Sequence, residues 1–290
     1  MRRGTLYVVP TPIGNLTDIT ARALAVLSTA DVICAEDTRV SAHLLQLYGL
    51  PRREMISLRE HNERSQVERV LGWLREGKMV AQISDAGTPA ISDPGARLVE
   101  AVHAAGLPIC PIPGASSFTT AVSGAGLHAN AVLFYGFLPP KTTARRKIYA
   151  GWKTVDYAVT LFEAPHRIAE SLADLVAELG PDRYVVLARE LTKTFETLKR
   201  GTAAEILAWV QSDSNQQRGE CVLLIDQAPI DTDNSVSAQV LRALETLVEH
   251  LPVKQAAGVI ADLTGENRKH LYELGLEMKK SRQRDEENDF

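Results

Sequence analysis

Short apolar runs alternate with amphipathic stretches through the first part of the chain. Four runs have the length and continuous hydrophobicity of strands buried on both faces: residues 6–9, 32–35, 79–83 and 108–112. Between them, apolar residues recur at helical spacing, as in Val67, Val70, Leu71 and Leu74. Strands that alternate with helices are joined by parallel crossovers. We therefore predict a parallel-sheet α/β domain over residues 1–120.

The same alternation continues further along the chain. Strand-like runs occur at residues 132–137, 157–162, 184–188 and 221–225, and helices fit between them at 167–179 and 202–211. This pattern predicts a second α/β domain, residues 121–230, with a mixed sheet. The fold class expected is thus α/β, with two sheet-bearing domains.

The last part of the chain has no strand pattern. Residues 231–235 are polar and read as a linker, and residues 236–280 carry the periodicity of a small helical domain. Its second and third helices, expected at 254–263 and 266–279, are joined as in a helix-turn-helix, although three short helices also pack together simply for stability. The tail, 280–290, mixes charges without periodicity and is predicted to be disordered.

Composition limits the classes of protein to consider. The chain has 290 residues and a formal net charge of −4, which does not by itself indicate a nucleic-acid binder. Cys34, Cys110 and Cys221 each lie in an apolar run without metal-ligand spacing, so we expect buried thiols and no metal site. No apolar run is long enough for a membrane span or a signal peptide. We expect a cytoplasmic protein.

The segment 83–95 is the strongest local candidate for a binding site. It follows the strand-like run 79–83 directly and contains two Asp residues, two Gly-Pro-rich turns and small hydroxyl side chains. A rigid loop at the carboxyl end of a parallel strand is where open α/β sheets bind small molecules. Asp93-Pro94-Gly95 is equally typical of a capped helix start. The local sequence leaves both interpretations open.

Six blocks, taken together in order along the chain, carry a family resemblance. They are Pro10-Thr11-Pro12-Ile13-Gly14-Asn15-Leu16-Thr17-Asp18, Cys34-Ala35-Glu36-Asp37-Thr38-Arg39, Glu60-His61-Asn62-Glu63, the segment 83–95, Pro113-Gly114-Ala115-Ser116-Ser117 and Phe162-Glu163-Ala164-Pro165-His166-Arg167. The set resembles the S-adenosylmethionine-dependent tetrapyrrole methylase superfamily, and within it the branch that methylates small-subunit ribosomal RNA. The prolines Pro10 and Pro12 depart from the glycine-rich loop of tetrapyrrole methylases proper, which disfavours a porphyrin-like substrate.

The resemblance implies a cofactor, a substrate and a set of contacts. The cofactor is S-adenosyl-L-methionine, and the substrate is the 2′-hydroxyl of a cytidine ribose in 16S ribosomal RNA, within the 30S subunit. A homodimer of the tetrapyrrole methylase type is implied as well. The cofactor-binding residues implied are Pro12, Ile13, Asp85, Ala86, Thr88, Ser116, Ser117, Leu161, Glu163, Ala188 and Glu220. For Ser116 and Ser117, plain helix capping explains the sequence as well.

Methylation of a ribose hydroxyl requires a proton acceptor or close alignment of the reactants. Asp37 and His61 are the candidate catalytic bases, and Arg39 and Asn62 beside them are candidate substrate contacts. Capping of the following helix is the simpler role for Asn62. In-line alignment of oxygen, methyl carbon and sulfur gives effective molarities of about 10⁵–10⁸ M, so the base matters less if alignment dominates.

One segment, the cationic window of residues 101–155, indicates an RNA substrate independently of the family resemblance. Residues 101–155 contain no Asp or Glu, and they hold Lys141, Arg145, Arg146 and Lys147 with Tyr149 and Trp152 interleaved. Cations and aromatics together suit phosphates and unstacked bases, so we expect charge reversal at Arg145 and Arg146 to weaken RNA binding. A mobile, solubilising surface loop has the same composition.

Two other functions fit the same sequence. One is a small-molecule or protein methyltransferase on this fold, and the other is a non-catalytic ribosome assembly factor that only inherited it. Retention of S-adenosylmethionine by the purified protein separates the enzymes from the assembly factor.

Overall fold

The computed structural model describes residues 1–59, 62–229 and 238–288. The chain divides into a larger compact unit, Met1–Ala228, and a smaller one that begins at Pro229. The predicted linker 231–235 and the predicted catalytic residue His61 lie outside the described residues. Among the described helices, none combines the length and the apolar character that crossing a bilayer requires.

The first sheet of the larger unit is parallel, as predicted. Its strand order is β3-β2-β4-β1-β5, and every neighbouring pair of strands runs in the same direction. The strands are β1 (Leu6–Val8), β2 (Val32–Ala35), β3 (Glu54–Ser57), β4 (Val80–Ile83) and β5 (Ile109–Pro111). The helices between them are α1 (Ala21–Thr29), α2 (Thr38–Leu47), α3 (Glu63–Arg75) and α4 (Ala96–Ala104).

Helices cover this sheet on both faces, which explains its unbroken apolar strands. On β2, Ile33 and Ala35 pack with α1 and α2, whereas Val32 and Cys34 pack with α3 and α4 on the opposite face. Burial on both faces requires apolar residues at every position rather than at alternate ones. The edge strand β3 was not predicted, because only one of its four side chains is buried.

The second sheet is mixed, also as predicted. Its order is β6-β7-β10-β8-β9; β6 and β7 are parallel, and the other pairs are antiparallel. The strands are β6 (Val132–Phe137), β7 (Ala158–Glu163), β8 (Tyr184–Arg189), β9 (Thr197–Thr202) and β10 (Cys221–Ile225). The helices are α5 (Ser117–Ala125), α6 (Thr142–Gly151), α7 (Ile168–Leu179) and α8 (Ala203–Ser212).

The two faces of the second sheet differ in what covers them. Helices α6, α7 and α8 pack on one face, while Ala121 and Ala125 of α5 pack on the other against Val186 and Val222. Ile13, from the loop after β1, joins this second cluster. Residue 120, the predicted end of the first domain, therefore lies inside a helix that packs on the second sheet.

The smaller unit is helical. It contains α9 (Ala238–His250), α10 (Val253–Thr264) and α11 (Arg268–Asn288) around a core of Leu244, Ala256, Ala257, Ile260 and Leu271. Gly265 ends α10 with φ +76°, a left-handed conformation that glycine adopts without strain. The prediction of a disordered tail was wrong at this point: α11 continues through residues 280–288, which are mostly charged residues and Gln with ordinary helix propensity.

Candidate functional site: an acidic cleft between the two sheets

A cleft of about 480 Å³ lies between the two sheets of the larger unit. From the first sheet it is lined by residues that follow β2, β4 and β5, including Glu36, Asp85 and Ser116. From the second sheet it is lined by residues 162–165 at the end of β7 and 219–222 at the start of β10. Glu163 and Cys221 are register partners, so these two stretches lie side by side. Strand ends of both sheets therefore form the cleft.

Main-chain contacts lock the loops of the first wall together. Thr11 and Gly87 exchange backbone hydrogen bonds of 2.9 and 3.0 Å, which joins the loop after β1 to the loop after β4. The Thr88 hydroxyl donates to the Ala115 carbonyl at 3.0 Å and adds the loop after β5. A Cβ on Gly114 would lie 2.8 Å from the Pro10 side chain. The loops after β1, β4 and β5 thus form one rigid wall, because each of them is bonded to or packed against another.

Backbone strain is concentrated in this wall. Ala90 and Ser92 have φ values of 67° and 62°, a left-handed region that non-glycine residues seldom adopt. Such conformations persist where surrounding contacts hold them, commonly at ligand sites. Gly95, not Asp93, is the N-cap of α4, and the Asp93 side chain lines the cleft instead. Of the two interpretations of segment 83–95, the structure favours the rigid site loop.

The cleft is acidic. Its carboxylates are Glu36, Asp85, Asp93, Glu163 and Glu220, and the described lining residues contain no Lys, Arg or His. Burial and the nearby Glu36 carboxylate raise the pKa of Asp93 to about 6. Burial and the Asp85 carboxylate raise the pKa of Glu36 as well. Like charges held together in a partly buried site favour a positively charged ligand.

Glu163 has a buried, unsatisfied acceptor at the margin of this cleft. The residue is only 2% exposed, and its Oε1 accepts hydrogen bonds from the Ala164 N–H at 2.9 Å and from Arg167 Nη2 at 2.6 Å. Its Oε2 is buried and has no donor among the described residues. Buried polar atoms nearly always have a partner. Because the Glu163 side chain is 0% exposed, this acceptor faces the protein interior. The carboxylates that can meet a cationic ligand are the partly or fully exposed Glu36, Asp85, Asp93 and Glu220.

Most residues predicted to bind a cofactor line this cleft. They are Ile13, Asp85, Ala86, Thr88, Ser116, Ser117, Glu163 and Glu220. Pro12, Leu161 and Ala188 do not line it among the described residues: Pro12 is buried, and the side chains of Leu161 and Ala188 pack in the cores of the second sheet. Leu161 faces the helices α6, α7 and α8, whereas Ala188 packs on the opposite face of the sheet, in the same cluster as Ile13 and Val222.

Several lining residues were not predicted, notably Glu36, Asp93 and Cys221. Glu36 immediately follows β2, and Asp93 belongs to the same loop as Asp85, so strand-end position was the available signal. Burial raises the pKa of Cys221 to about 11, so its thiol is protonated at neutral pH. The carboxylates, not the thiol, supply the reactive groups of the cleft.

Asp37, predicted as a catalytic base, has a different role in the structure. It is the N-cap of α2, and its carboxylate pairs with Arg39 and Arg59, each at 2.9 Å. The hydrogen bonds from Arg39 hold its pKa well below the usual range, and the residue is not among the lining residues of the cleft. A carboxylate this tightly paired is a poor proton acceptor. Its main-chain N–H instead donates to Asp85 Oδ1 at 3.0 Å and positions that residue.

Asn62 shapes the loop that precedes α3. Its Oδ1 accepts from the Arg59 N–H at 2.7 Å, and its Nδ2 donates to the Ser57 carbonyl at 3.0 Å. It occupies the N-cap position of α3 but makes no side-chain capping bond, so the capping expectation was wrong in its detail. Arg39 beside it is exposed over 87% of its side chain and stays accessible to a substrate.

The cationic window is not a mobile surface loop. It folds into α6, and Arg145 is 0% exposed: its Nε donates to Asp174 at 2.7 Å and its Nη2 lies 3.0 Å from Glu170. Tyr149 and Trp152 are buried in the core between α6 and the sheet. The prediction that Arg145 binds RNA was therefore wrong. The acidic residues that pair with Arg145 belong to α7 and lie outside the cationic window, residues 101–155.

The other cations of the window are at the surface. Arg146 pairs with Glu178 at 2.5 Å, while Lys141 and Lys147 are exposed. The Tyr149 hydroxyl bonds to Ser171 in the core and is not available for stacking on a base. Only part of the predicted cationic surface therefore exists.

Two protein families and a set of known methyltransferases match the sequence of this chain. Residues 5–207 match the family of Tetrapyrrole (Corrin/Porphyrin) Methylases, and residues 234–279 match the RsmI C-terminal HTH domain. A ribosomal RNA small subunit methyltransferase I from Neisseria meningitidis serogroup B is 50% identical over 276 residues, which cover 95% of this chain and 94% of that protein.

Solved structures share the fold of the larger unit at low sequence identity. A uroporphyrin-III-C-methyltransferase from Thermus thermophilus superposes with a TM-score of 0.55 at 20% identity, covering 78% of this chain and 95% of that one. A structure of uroporphyrin-III C-methyl transferase from the same organism, complexed with S-adenyl homocysteine, gives a TM-score of 0.51 at 18% identity, over 77% and 97% of the two chains. The chain belongs to the tetrapyrrole methylase family and, within it, to the ribosomal RNA small subunit methyltransferase I family.

Proposed function

We propose that this chain transfers a methyl group from S-adenosyl-L-methionine to the 2′-hydroxyl of a cytidine ribose in small-subunit (16S) ribosomal RNA. It acts as a homodimer on the 30S subunit. Family membership supports ribosomal RNA methylation as the activity. The acidic cleft between the two sheets is the single structural observation that supports the choice of site, since it offers a cationic donor a preformed, negatively charged enclosure.

The residues of the cleft suit the donor in two ways. When bound, S-adenosylmethionine supplies an electrophilic methyl group on a positively charged sulfur. Asp85 and the carboxylates around it complement that charge. The locked loops after β1, β4 and β5 need little rearrangement to bind, which lowers the entropic cost of binding.

Asp93 is the proton acceptor in this proposal. A ribose hydroxyl must lose its proton as the new O–C bond forms, and a carboxylate with a raised pKa is a stronger base than an ordinary one. Asp93 lines the cleft, and its pKa of about 6 leaves most of it ionised at neutral pH. Asp37 is unsuitable because Arg39 and Arg59 already neutralise it.

The RNA is held outside the cleft. A phosphate is repelled by the five lining carboxylates, so a sugar hydroxyl is the part of the strand that enters. Exposed cations at the surface of the larger unit, including Arg39, Lys141 and Lys147, remain candidates for the contacts that hold the strand.

The experiment is a methylation assay with a mapped product. Purified protein is incubated with methyl-labelled S-adenosylmethionine and 30S subunits from cells that lack the activity. We expect label in the RNA at one cytidine, resistant to alkaline cleavage because its 2′-oxygen is blocked. Label on a base, on ribosomal protein or on a small molecule contradicts the ribose assignment. Binding of the donor without any transfer favours an assembly factor.

A further inference from the structure

A second cavity, of about 730 Å³, lies beside α2 and the chain that leads into β3. Its charged lining residues are Arg39, His43, Arg52 and Arg53, and its described lining contains no Asp or Glu. We call it the α2–β3 groove. A cavity whose ionisable side chains are all basic or imidazole groups has the opposite charge preference to the acidic cleft.

One wall of the groove is the polar stripe of α2. Each of Arg39, Ala42, His43 and Gln46 lies three or four residues from two others of the set, so they share a single helix face. Ser41 is buried on another side of the same helix, which orients the stripe outward. The sequence thus builds the wall from an ordinary amphipathic helix whose outer face is basic.

The opposite wall comes from residues 49–55. Arg53 is fixed there, because its guanidinium donates to the Ser28 carbonyl. Arg52 is exposed and has no hydrogen-bond or ion-pair partner among the described residues, and the same holds for His43 on α2. Arg39 is paired with Asp37, yet most of its side chain remains exposed. The groove therefore offers donors that no protein group satisfies.

The groove adjoins the acidic cleft through the start of α2. Glu36 lines the cleft, Asp37 begins α2 and donates its N–H to Asp85, and Arg39 lines the groove. Four consecutive residues thus connect the two cavities within the larger unit. A strand lying in the groove has a neighbouring nucleotide next to the entrance of the cleft.

We propose that the α2–β3 groove binds the phosphate backbone of the ribosomal RNA substrate, on the strand that presents its ribose to the cleft. This rests on the proposed function, and it adds a binding site of which only Arg39 was predicted from the sequence. RNA is the favoured occupant because its backbone carries a phosphate at every nucleotide, which matches a groove whose ionisable lining residues are all Arg or His.

The test is the double variant His43→Glu/Arg52→Glu in the full chain. Both side chains are exposed, so the fold is expected to remain intact, which the melting temperature checks. The matched control is Arg97→Glu, an exposed arginine on α4, which packs on the opposite face of the same sheet. Binding to 30S subunits is measured over a series of salt concentrations, and binding of S-adenosylmethionine is measured by calorimetry.

We expect the double variant to bind 30S subunits at least about ten-fold more weakly, with a salt dependence shallower by roughly one unit of slope. Its affinity for S-adenosylmethionine and its kcat stay at the wild-type values while KM for 30S subunits rises. Arg97→Glu changes none of these by more than about two-fold.

Three results overturn the proposal. The first is unchanged affinity of the double variant for 30S subunits. The second is an equal loss in Arg97→Glu, which assigns the effect to net charge alone. The third is a change of oligomeric state in sedimentation with RNA affinity retained, which makes the groove an interface between copies. If the wild type binds 30S subunits through the groove but does not methylate them, the proposed function is wrong. The assignment of the groove as an RNA-binding site is then still supported.

Discussion

The acidic cleft and the α2–β3 groove lie close together but carry opposite charge. The cleft is lined by five carboxylates with no described Lys, Arg or His, and the groove by three arginines and a histidine with no described Asp or Glu. A cationic methyl donor and a polyanionic RNA need opposite surroundings. We infer that the larger unit can bind both reactants because each has its own cavity. Only the reacting hydroxyl of the RNA enters the acidic cleft.

The formal net charge of −4 does not show that acidic and basic side chains line separate cavities. Arginines are also divided: Arg39 and Arg52 of the groove are exposed, whereas Arg145 of α6 is enclosed by Asp174 and Glu170. Whether an arginine binds RNA depends on which acids the fold brings to it, and not on the charge of its sequence neighbours.

The largest effect is expected from Asp93→Asn, which removes the proposed proton acceptor from the cleft. General base catalysis contributes about 10²–10⁴-fold, so kcat falls by that order. In the wild type the rate falls as pH drops through about 6, because only the ionised carboxylate accepts a proton. The variant loses that dependence while its affinity for S-adenosylmethionine stays within a few-fold. A pH profile of kcat identical to the wild type removes Asp93 from the mechanism.

Arg145→Met tests the claim that this arginine is structural. It leaves Asp174 buried without its partner, and breaking a buried ion pair costs about 3–5 kcal/mol. The free energy of unfolding, measured by denaturant titration, falls by that amount. The matched Arg146→Met, which breaks a more exposed pair with Glu178, costs less than about 1 kcal/mol. Equal effects of the two variants contradict the burial of Arg145.

Asp85→Lys reverses one charge of the cleft. Placing an ammonium beside a cationic donor lowers its affinity about 100-fold by calorimetry, since repulsion of like charges in a desolvated site costs several kcal/mol. Affinity for 30S subunits is unchanged or slightly higher. Glu100→Lys, an exposed residue on α4, serves as the control for net charge. Loss of donor binding in that control as well would mean that the cleft's own charge is not responsible.

The smallest effect is expected from Lys147→Glu on α6. Its side chain is exposed, but its neighbours Arg145 and Arg146 are occupied by acids of α7. We predict that 30S affinity changes by less than about three-fold, against at least ten-fold for the groove variant. A larger loss at Lys147 than in the groove would reverse their ranking as RNA contacts.

The six central strands and the edge strands β5 and β6 were predictable from sequence, whereas the edge strands β3 and β9 were not. Strands β1 and β2 are apolar at every position because helices cover both faces of their sheet, and β4 has one polar residue, Gln82. Strand β9 pairs with β8 alone and has no fully buried side chain, so its residues give no hydrophobic pattern. Helix α6 was missed for another reason: its three cations suggested a solvent-exposed segment, whereas two of them, Arg145 and Arg146, pair with α7.

The main-chain part of the site was predictable, and its electrostatics were not. Segment 83–95 was found because Gly and Pro residues follow a buried strand, a pattern that directly determines loop shape. Burial and the Glu36 carboxylate raise the pKa of Asp93, and Glu36, which is 57 residues away in the chain, is brought near by the order of strands. The residues next to Asp93 in the sequence do not indicate that Glu36 lies close to it.

A crystal structure of the chain with S-adenosylhomocysteine tests the central claim most directly. The account predicts the ligand in the acidic cleft, with its sulfur between the loop that holds Asp85 and the strand end that holds Glu163. Density for the ligand in the α2–β3 groove, or anywhere else on the larger unit, would contradict it.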